Sequence, residues 1–162
     1  MAQYRLQTLL EIRERTKREK EEALAEVKKI LALEQQKLDD LRKQLQDMRD
    51  TRENKQQELM QKTQSGELGI NGYLQSERYL KRMDKEIQEF EENDIREQEK
   101  RIIFAEQEVE WAFEEMIEAM QEYKALEKHK EKWEEEIKKE RKAKEAEQQE
   151  EIATTIFTFR DR

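Results

Sequence analysis

A chain of 162 residues is long enough for one domain, yet 46% of it is charged, 34% hydrophobic and 7% aromatic, too few apolar groups to fill a compact globular core. The formal net charge is −8, with 14 acids against 4 bases in residues 84–118, a balance that repels nucleic acid. There is no cysteine, hence no disulfide framework, thiolate metal site or thiol nucleophile, which fits a reducing, cytoplasmic setting.

Proline is absent and glycine occurs three times, so the apolar residues are expected in narrow helical seams. The opening MAQYRLQTLLEIRERTK has no continuous apolar region of the signal-peptide kind, and no run approaches the ~20 apolar residues that span a bilayer, so no membrane insertion is expected. A first helix is predicted over about residues 3–62. Its seam runs Leu24, Val27, Leu31, Leu38, Leu41, Leu45, Met48 and Leu59, in alternating three- and four-residue steps, with polar Glu34, Arg52 and Lys55 in the remaining places. Counting back reaches Leu10 and Leu6 across a polar gap at Arg13, Lys17 and Lys20.

The segment SGELGING, residues 65–72, holds every glycine and predicts a turn at about 65–71, with Gly66 closing the first helix and Asn71 capping the next. The second helix, about 71–150, repeats the seam with Tyr73, Leu80, Met83, Ile87, Phe90, Phe104, Ala112, Ala119, Leu126, Trp133 and Ile137, leaving polar gaps around Asp94 and Arg101. The tail, 152–162, is rich in β-branched and aromatic residues and poor helix material. It reads either as a frayed end or as a short motif that orders against a partner.

Two seams flanking the only glycine cluster predict an all-α fold: a long, rod-like, two-helix antiparallel coiled-coil hairpin, one domain over 1–162, monomeric when free. At ~1.5 Å per residue the helices would be ~90 and ~120 Å long. With the turn near residue 69, facing residue numbers sum to about 138. That register sets Met48 beside Phe90, Leu6 near Trp133, and Arg13, Lys17 and Lys20 near Ala125, Glu122, Glu118 and Glu115, where interhelical ion pairs are expected. Residues beyond about 136 have no facing partner in the chain.

Chemistry finds no foothold. The single histidine, His129, lacks a second soft ligand, so no metal site is expected. The abundant carboxylates have no cleft to separate their pKa values, and SGELGING lacks the lysine and preceding strand of a phosphate-binding loop. The basic cluster RERTKREK is interleaved with Glu14 and Glu19 and has no neighbouring aromatics to stack bases. No catalytic residue, cofactor or nucleic-acid partner is expected; the chain reads as a protein that binds proteins. Trp111 and Trp133 are open to two readings, helix packing or exposed hot spots. The acidic belt is likewise a solvated face or a docking stripe for a basic partner.

Three stretches, YRLQTLLEIRERTKREKEEALAEVKKILALEQQKLDDL, GINGYLQSERYLKRMDKEI and YKALEKHKEKWEEEIKKERKAKEAEQQEE, together over half the chain, resemble the FliJ/YscO family, the SctO-type stalk proteins of type III export systems. The most telling marks are the opening Tyr-x-Leu-x-x-Leu-Leu and the late Lys-x-x-Trp. The resemblance implies a two-helix coiled coil similar to a rotary-ATPase stalk. It implies a hexameric export ATPase as one partner, the cytoplasmic part of a membrane export gate as another, and escort of substrate chaperones. Its location would be cytoplasmic, peripheral to the inner-membrane export apparatus, flagellar or injectisome. By the same resemblance Leu6, Leu9, Leu10, Arg13, Trp133 and Ile137 would contact the ATPase ring, and Tyr79 and Met83 the gate. The apolar tail at Ile156, Phe157 and Phe159 departs from the family pattern. A structural tether or dimer, or a substrate chaperone without an ATPase role, is the alternative function.

Overall fold

The computed structural model describes residues 2–161, and the regular structure among them is entirely helical. Helix α1 spans Gln7–Gln64 and α2 spans Ile70–Glu89; a π-helical turn, Phe90–Ile95, leads into α3, Arg96–Arg160. Glu89 and Arg96 both keep right-handed helical backbone angles, so α2, the π turn and α3 form one uninterrupted helix.

Gly66 closes α1 as the sequence suggests. It takes φ +75, the left-handed region, and the Glu67 N–H donates back to the Lys62 carbonyl at 3.1 Å, satisfying an otherwise orphaned acceptor. The expected cap at Asn71 is not realised. The N-cap of α2 is Gly69, without a side-chain hydrogen bond, and Asn71 lies within the helix. The start of α1 also differs from expectation. Residues 2–6 lie ahead of it, and the Gln7 N–H reaches the Tyr4 carbonyl at 3.1 Å in a tight turn.

The chain divides into two compact units. In Ala23–Phe113, α1 buries or half-buries residues 24, 27, 31, 34, 38, 41, 45, 48, 52, 55 and 59, unbroken three–four steps that include the polar members read from sequence. Across from it the antiparallel second helix covers residues 76, 80, 83, 87 and 90, then steps five to 95, and resumes at 98, 102, 105, 109 and 112. The π turn fills that five-residue step. Its wider i→i+5 hydrogen bonding accommodates one extra residue without turning the seam away from α1. Leu38, Leu45, Ile95 and Ile102 form the buried cluster, with Leu31, Leu41, Ile87 and Phe90 packed around it.

This phase change corrects the seam expected for the second helix. Asp94 and Arg101 are not polar gaps in it but exposed neighbours of Ile95 and Ile102, and Phe104 stands out while Ala105 turns in. Between Ile95 and Ile102 lies one polar layer. Gln98, 5% exposed, donates through Nε2 to the Glu34 carbonyl at 2.9 Å and to the Glu34 carboxylate. Hydrogen bonds from Lys37 and then Gln98 hold the Glu34 carboxyl below the usual carboxylate range. Slipping the register would strand the Gln98 amide without partners, a penalty of roughly 1–3 kcal/mol, so this layer specifies alignment. Arg52 with Asp84 at 2.8 Å, Arg49 with Glu91 at 3.2 Å and Arg42 with Glu99 at 3.8 Å flank the seam.

The second unit joins the N-terminal residues to Glu22 with the chain from Glu114 onward. Here Leu10, Arg13, Lys17 and Lys20 of α1 lie in the seam, and α3 supplies Met116, Ala119, Tyr123, Leu126, Lys130, Trp133 and Ile137. Residues 138–161 are exposed throughout. Helix α3 continues through the apolar tail to Arg160. Thr154 and Thr155 turn their hydroxyls back onto the Glu150 and Glu151 carbonyls at 2.8 and 2.7 Å, satisfying both hydroxyls within the helix.

The π turn makes a deletion test available. Removing Asn93 lets the turn relax to α-helix with the seam still aligned, so helix content and the melting midpoint are expected to hold or rise. Removing Glu108, inside uninterrupted heptads, rotates every later seam residue by about 100° and should lower the midpoint. Thermal melts followed by circular dichroism at 222 nm check both; an equal loss for the two deletions would remove the register role assigned to the π turn.

Candidate functional site

The six residues singled out for an ATPase ring all lie in the unit formed by the chain's first residues and α3. The structure separates them into two sets. Leu10 is buried, Trp133 and Ile137 are half-buried, and Arg13 is ion-paired with Glu122, so these four serve interhelical packing. Leu6 and Leu9, each 36% exposed, lie outside the buried seam positions, and the next turn adds exposed Ile12.

The packing set is pinned by a residue the sequence reading left out. Tyr4, 8% exposed, lays its ring against Trp133 at 5.3 Å between centroids and against His129 at 5.7 Å. Its hydroxyl lies 2.6 Å from His129 Nδ1. Leu6, expected opposite Trp133, is displaced from the seam because the chain is not yet helical there, and Tyr4 reaches the indole instead. A signal for this was present in the sequence: Tyr4 and Trp133 satisfy the antiparallel register as well as Leu6 does, and a tyrosine offers both apolar area and a polar tip. His129 thus has a structural partner. Among the described residues no group of three histidine, aspartate or glutamate side chains could hold a metal ion.

Inward from this pin the seam turns polar. Arg13 pairs with Glu122 and Lys20 with Glu115 at 2.9 Å, ion pairs with acids of the expected set, each about one helical turn along α3 from the position faced in the expected register. Lys17 departs from this pattern, placing its ammonium 5.1 Å from the centre of the Tyr123 ring, a cation–π contact. Burial, then the charges of Glu127 and Glu14, push the Tyr123 phenol upward, so it stays protonated beside them. Such half-exposed pairs contribute about 0–1 kcal/mol each and define alignment more than stability.

The two residues assigned to a gate lie in the other unit. Tyr79 is 43% exposed, with the Lys55 ammonium 5.9 Å from its ring centre. Met83 is half-buried in the seam, beside Met48 and Ile87 in a shallow groove. They are one helical turn apart, and Tyr79 is the more exposed of the two.

With these sites in place, comparison with known proteins gives the context. A family model described as YscO-like protein matches residues 1–162. The chain belongs to the YscO-like family. A solved structure described as a YscO homolog, CT670 from Chlamydia trachomatis, shares the fold, with a TM-score of 0.82 and 24% identity over 99% of this chain and 98% of that one. The sequence matches no curated protein. Family membership makes this YscO-like chain a type III secretion-associated protein, in a family of secretion components rather than enzymes. Among the described residues no helix is long and apolar enough to cross a membrane.

The Tyr4 pin carries its own prediction, read in a Trp111→Phe background so that Trp133 alone reports. Tyr4→Ala is expected to red-shift the Trp133 emission and cost about 1–3 kcal/mol of stability in denaturant titration. Tyr4→Phe keeps the ring contact and is expected to cost only about 0.5–1.5 kcal/mol, without the shift.

Proposed function

We propose that this YscO-like chain is a non-enzymatic stalk of a type III export apparatus, binding in the centre of the hexameric export ATPase and coupling it to the export gate. The observation that carries the reading is the division at the chain's first turns. Tyr4, Leu10, Trp133 and Ile137 hold the two helices together, while Leu6, Leu9 and Ile12 remain exposed on the same unit. Apolar side chains presented from a pinned helix can enter a ring without unfolding their own support.

In this reading Leu6 and Leu9 touch the ring, and Leu10, Arg13, Trp133 and Ile137 act by fixing their position. The compensated charges at Arg13 and Lys20 form a polar collar behind them, which suits a stalk that must not lock onto one subunit. Tyr79, with Met83 beneath it, is the contact for the gate, and the escort of substrate chaperones belongs to the same role. The chain would then act in the cytoplasm at the inner-membrane export apparatus.

The test is the ATP hydrolysis rate of the cognate export ATPase with and without this protein. The full chain is expected to stimulate it; a variant lacking residues 1–12 should not, and Leu6→Ser/Leu9→Ser should lose most of the effect while keeping its helix content. Absence of stimulation by the full chain, with the ATPase shown to be an active hexamer, would favour a tether or a substrate chaperone instead.

A further inference from the structure

The largest exposed aromatic surface of the unit Ala23–Phe113 lies away from both sets of residues discussed above. Phe104 is 63% and Trp111 65% exposed, and both occupy the same heptad position of α3, seven residues apart. Each immediately precedes a small seam residue, Ala105 or Ala112, so the side chains that face α1 are slight while the bulky rings stand beside the seam. Neither ring contributes to the buried cluster that holds the helices together. Leaving two such rings in water carries a standing solvation cost, since each has about 150–250 Å² of surface to bury.

Between α1 and α3 at this level runs an open groove of about 570 Å³. Val27 and Ile30 of α1 line it from one side and Phe104 and Ala105 of α3 from the other. Glu34, Glu97 and Glu108 rim it, against Lys100 and Arg101, and Arg101 Nε sits 3.9 Å from Glu97. The wider field is acidic as well: residues 23–113 hold 21 acids and 16 bases. An apolar groove between two helices, walled by residues in heptad positions and set in negative charge, has the shape and the polarity to take a third helix.

We propose that this groove is the docking site of a basic amphipathic helix of a partner protein, its apolar face between Ile30 and Phe104 and continuing onto Trp111, its lysines and arginines over Glu97 and Glu108. The occupant follows from charge complementarity. An acidic partner helix or a nucleic-acid backbone would be repelled by the same field, whereas a basic one is drawn in. The π turn is what makes the site: had the seam kept its original phase, Phe104 and Trp111 would have been interior residues. The inference stands on the groove alone and does not require the stalk reading.

The experiment uses the full chain carrying Trp133→Phe, so that Trp111 is the single indole. The probe is a synthetic leucine–lysine peptide of about 18 residues with its leucines at i, i+3, i+4 and i+7. Saturable binding with a blue shift of Trp111 emission is expected, weakening as salt is raised. Phe104→Ser or Ile30→Ser should weaken the affinity about tenfold or more, measured by anisotropy of labelled peptide. Both changes are at exposed positions, and circular dichroism verifies that helix content is kept. A peptide of the same composition scrambled out of helical period, and a leucine–glutamate counterpart, should not bind. Failure of the leucine–lysine peptide to bind, equal binding by the scrambled peptide, or unchanged affinity in Phe104→Ser would each overturn the proposal, the latter two by showing adhesion to an acidic surface only.

Discussion

Everything else in this molecule depends on keeping two helical seams facing each other. A straight α-helix returns to the same face every 3.6 residues and a coiled-coil seam every 3.5, so any extra residue in one strand of the pair turns the rest of its seam toward water. The second helix contains such a residue. Continued without adjustment, its seam would have run through Asp94, Glu97, Arg101, Phe104 and Glu108; the π turn at Phe90–Ile95 replaces that with Ile95, Gln98, Ile102, Ala105 and Val109. The gain is a run of apolar burial in place of charge burial, far larger than the loss of ideal hydrogen-bond geometry over one turn.

The same adjustment distributes the chemistry of the surface. It sends Ile95 and Ile102 into the cluster with Leu38 and Leu45, places Gln98 where it locks onto Glu34, and turns Phe104 and Trp111 outward. Where the seam is polar, at Arg13 and Lys20, charged partners on α3 compensate it. The pairing is thus specified by a few polar contacts and stabilised by a thin apolar strip. Such an assembly holds its exposed side chains at fixed positions along the paired helices.

Much of this was legible in the sequence. The α1 seam, including its polar members Glu34, Arg52 and Lys55, follows from spacing alone, because an uninterrupted heptad has one phase. Gly66 could be read as the helix terminator, since only glycine takes φ +75 cheaply. The phase change was harder: single-phase counting left Asp94 and Arg101 as gaps and mixed Phe104 from the old phase with Ala112 from the new, although the five-residue step from Phe90 to Ile95 was there to be seen. Tyr4 was missed because it acts from outside the helix, where no periodicity applies. The tail, open in the sequence between a frayed end and a partner-ordered motif, is helical to Arg160 as an extension of α3, where the cost of nucleation has already been met.

The most direct test of the phase change exploits the absence of cysteine. Single cysteines placed at Ile95, Ile102, Asp94 and Arg101 report, through their rates of reaction with a thiol reagent, which phase faces α1. Slow labelling at Ile95 and Ile102 with fast labelling at Asp94 and Arg101 is the result expected of a seam shifted by the π turn. Protection at Asp94 and Arg101 instead, with Ile95 and Ile102 reacting freely, would mean that the seam runs on unshifted and that the account is wrong.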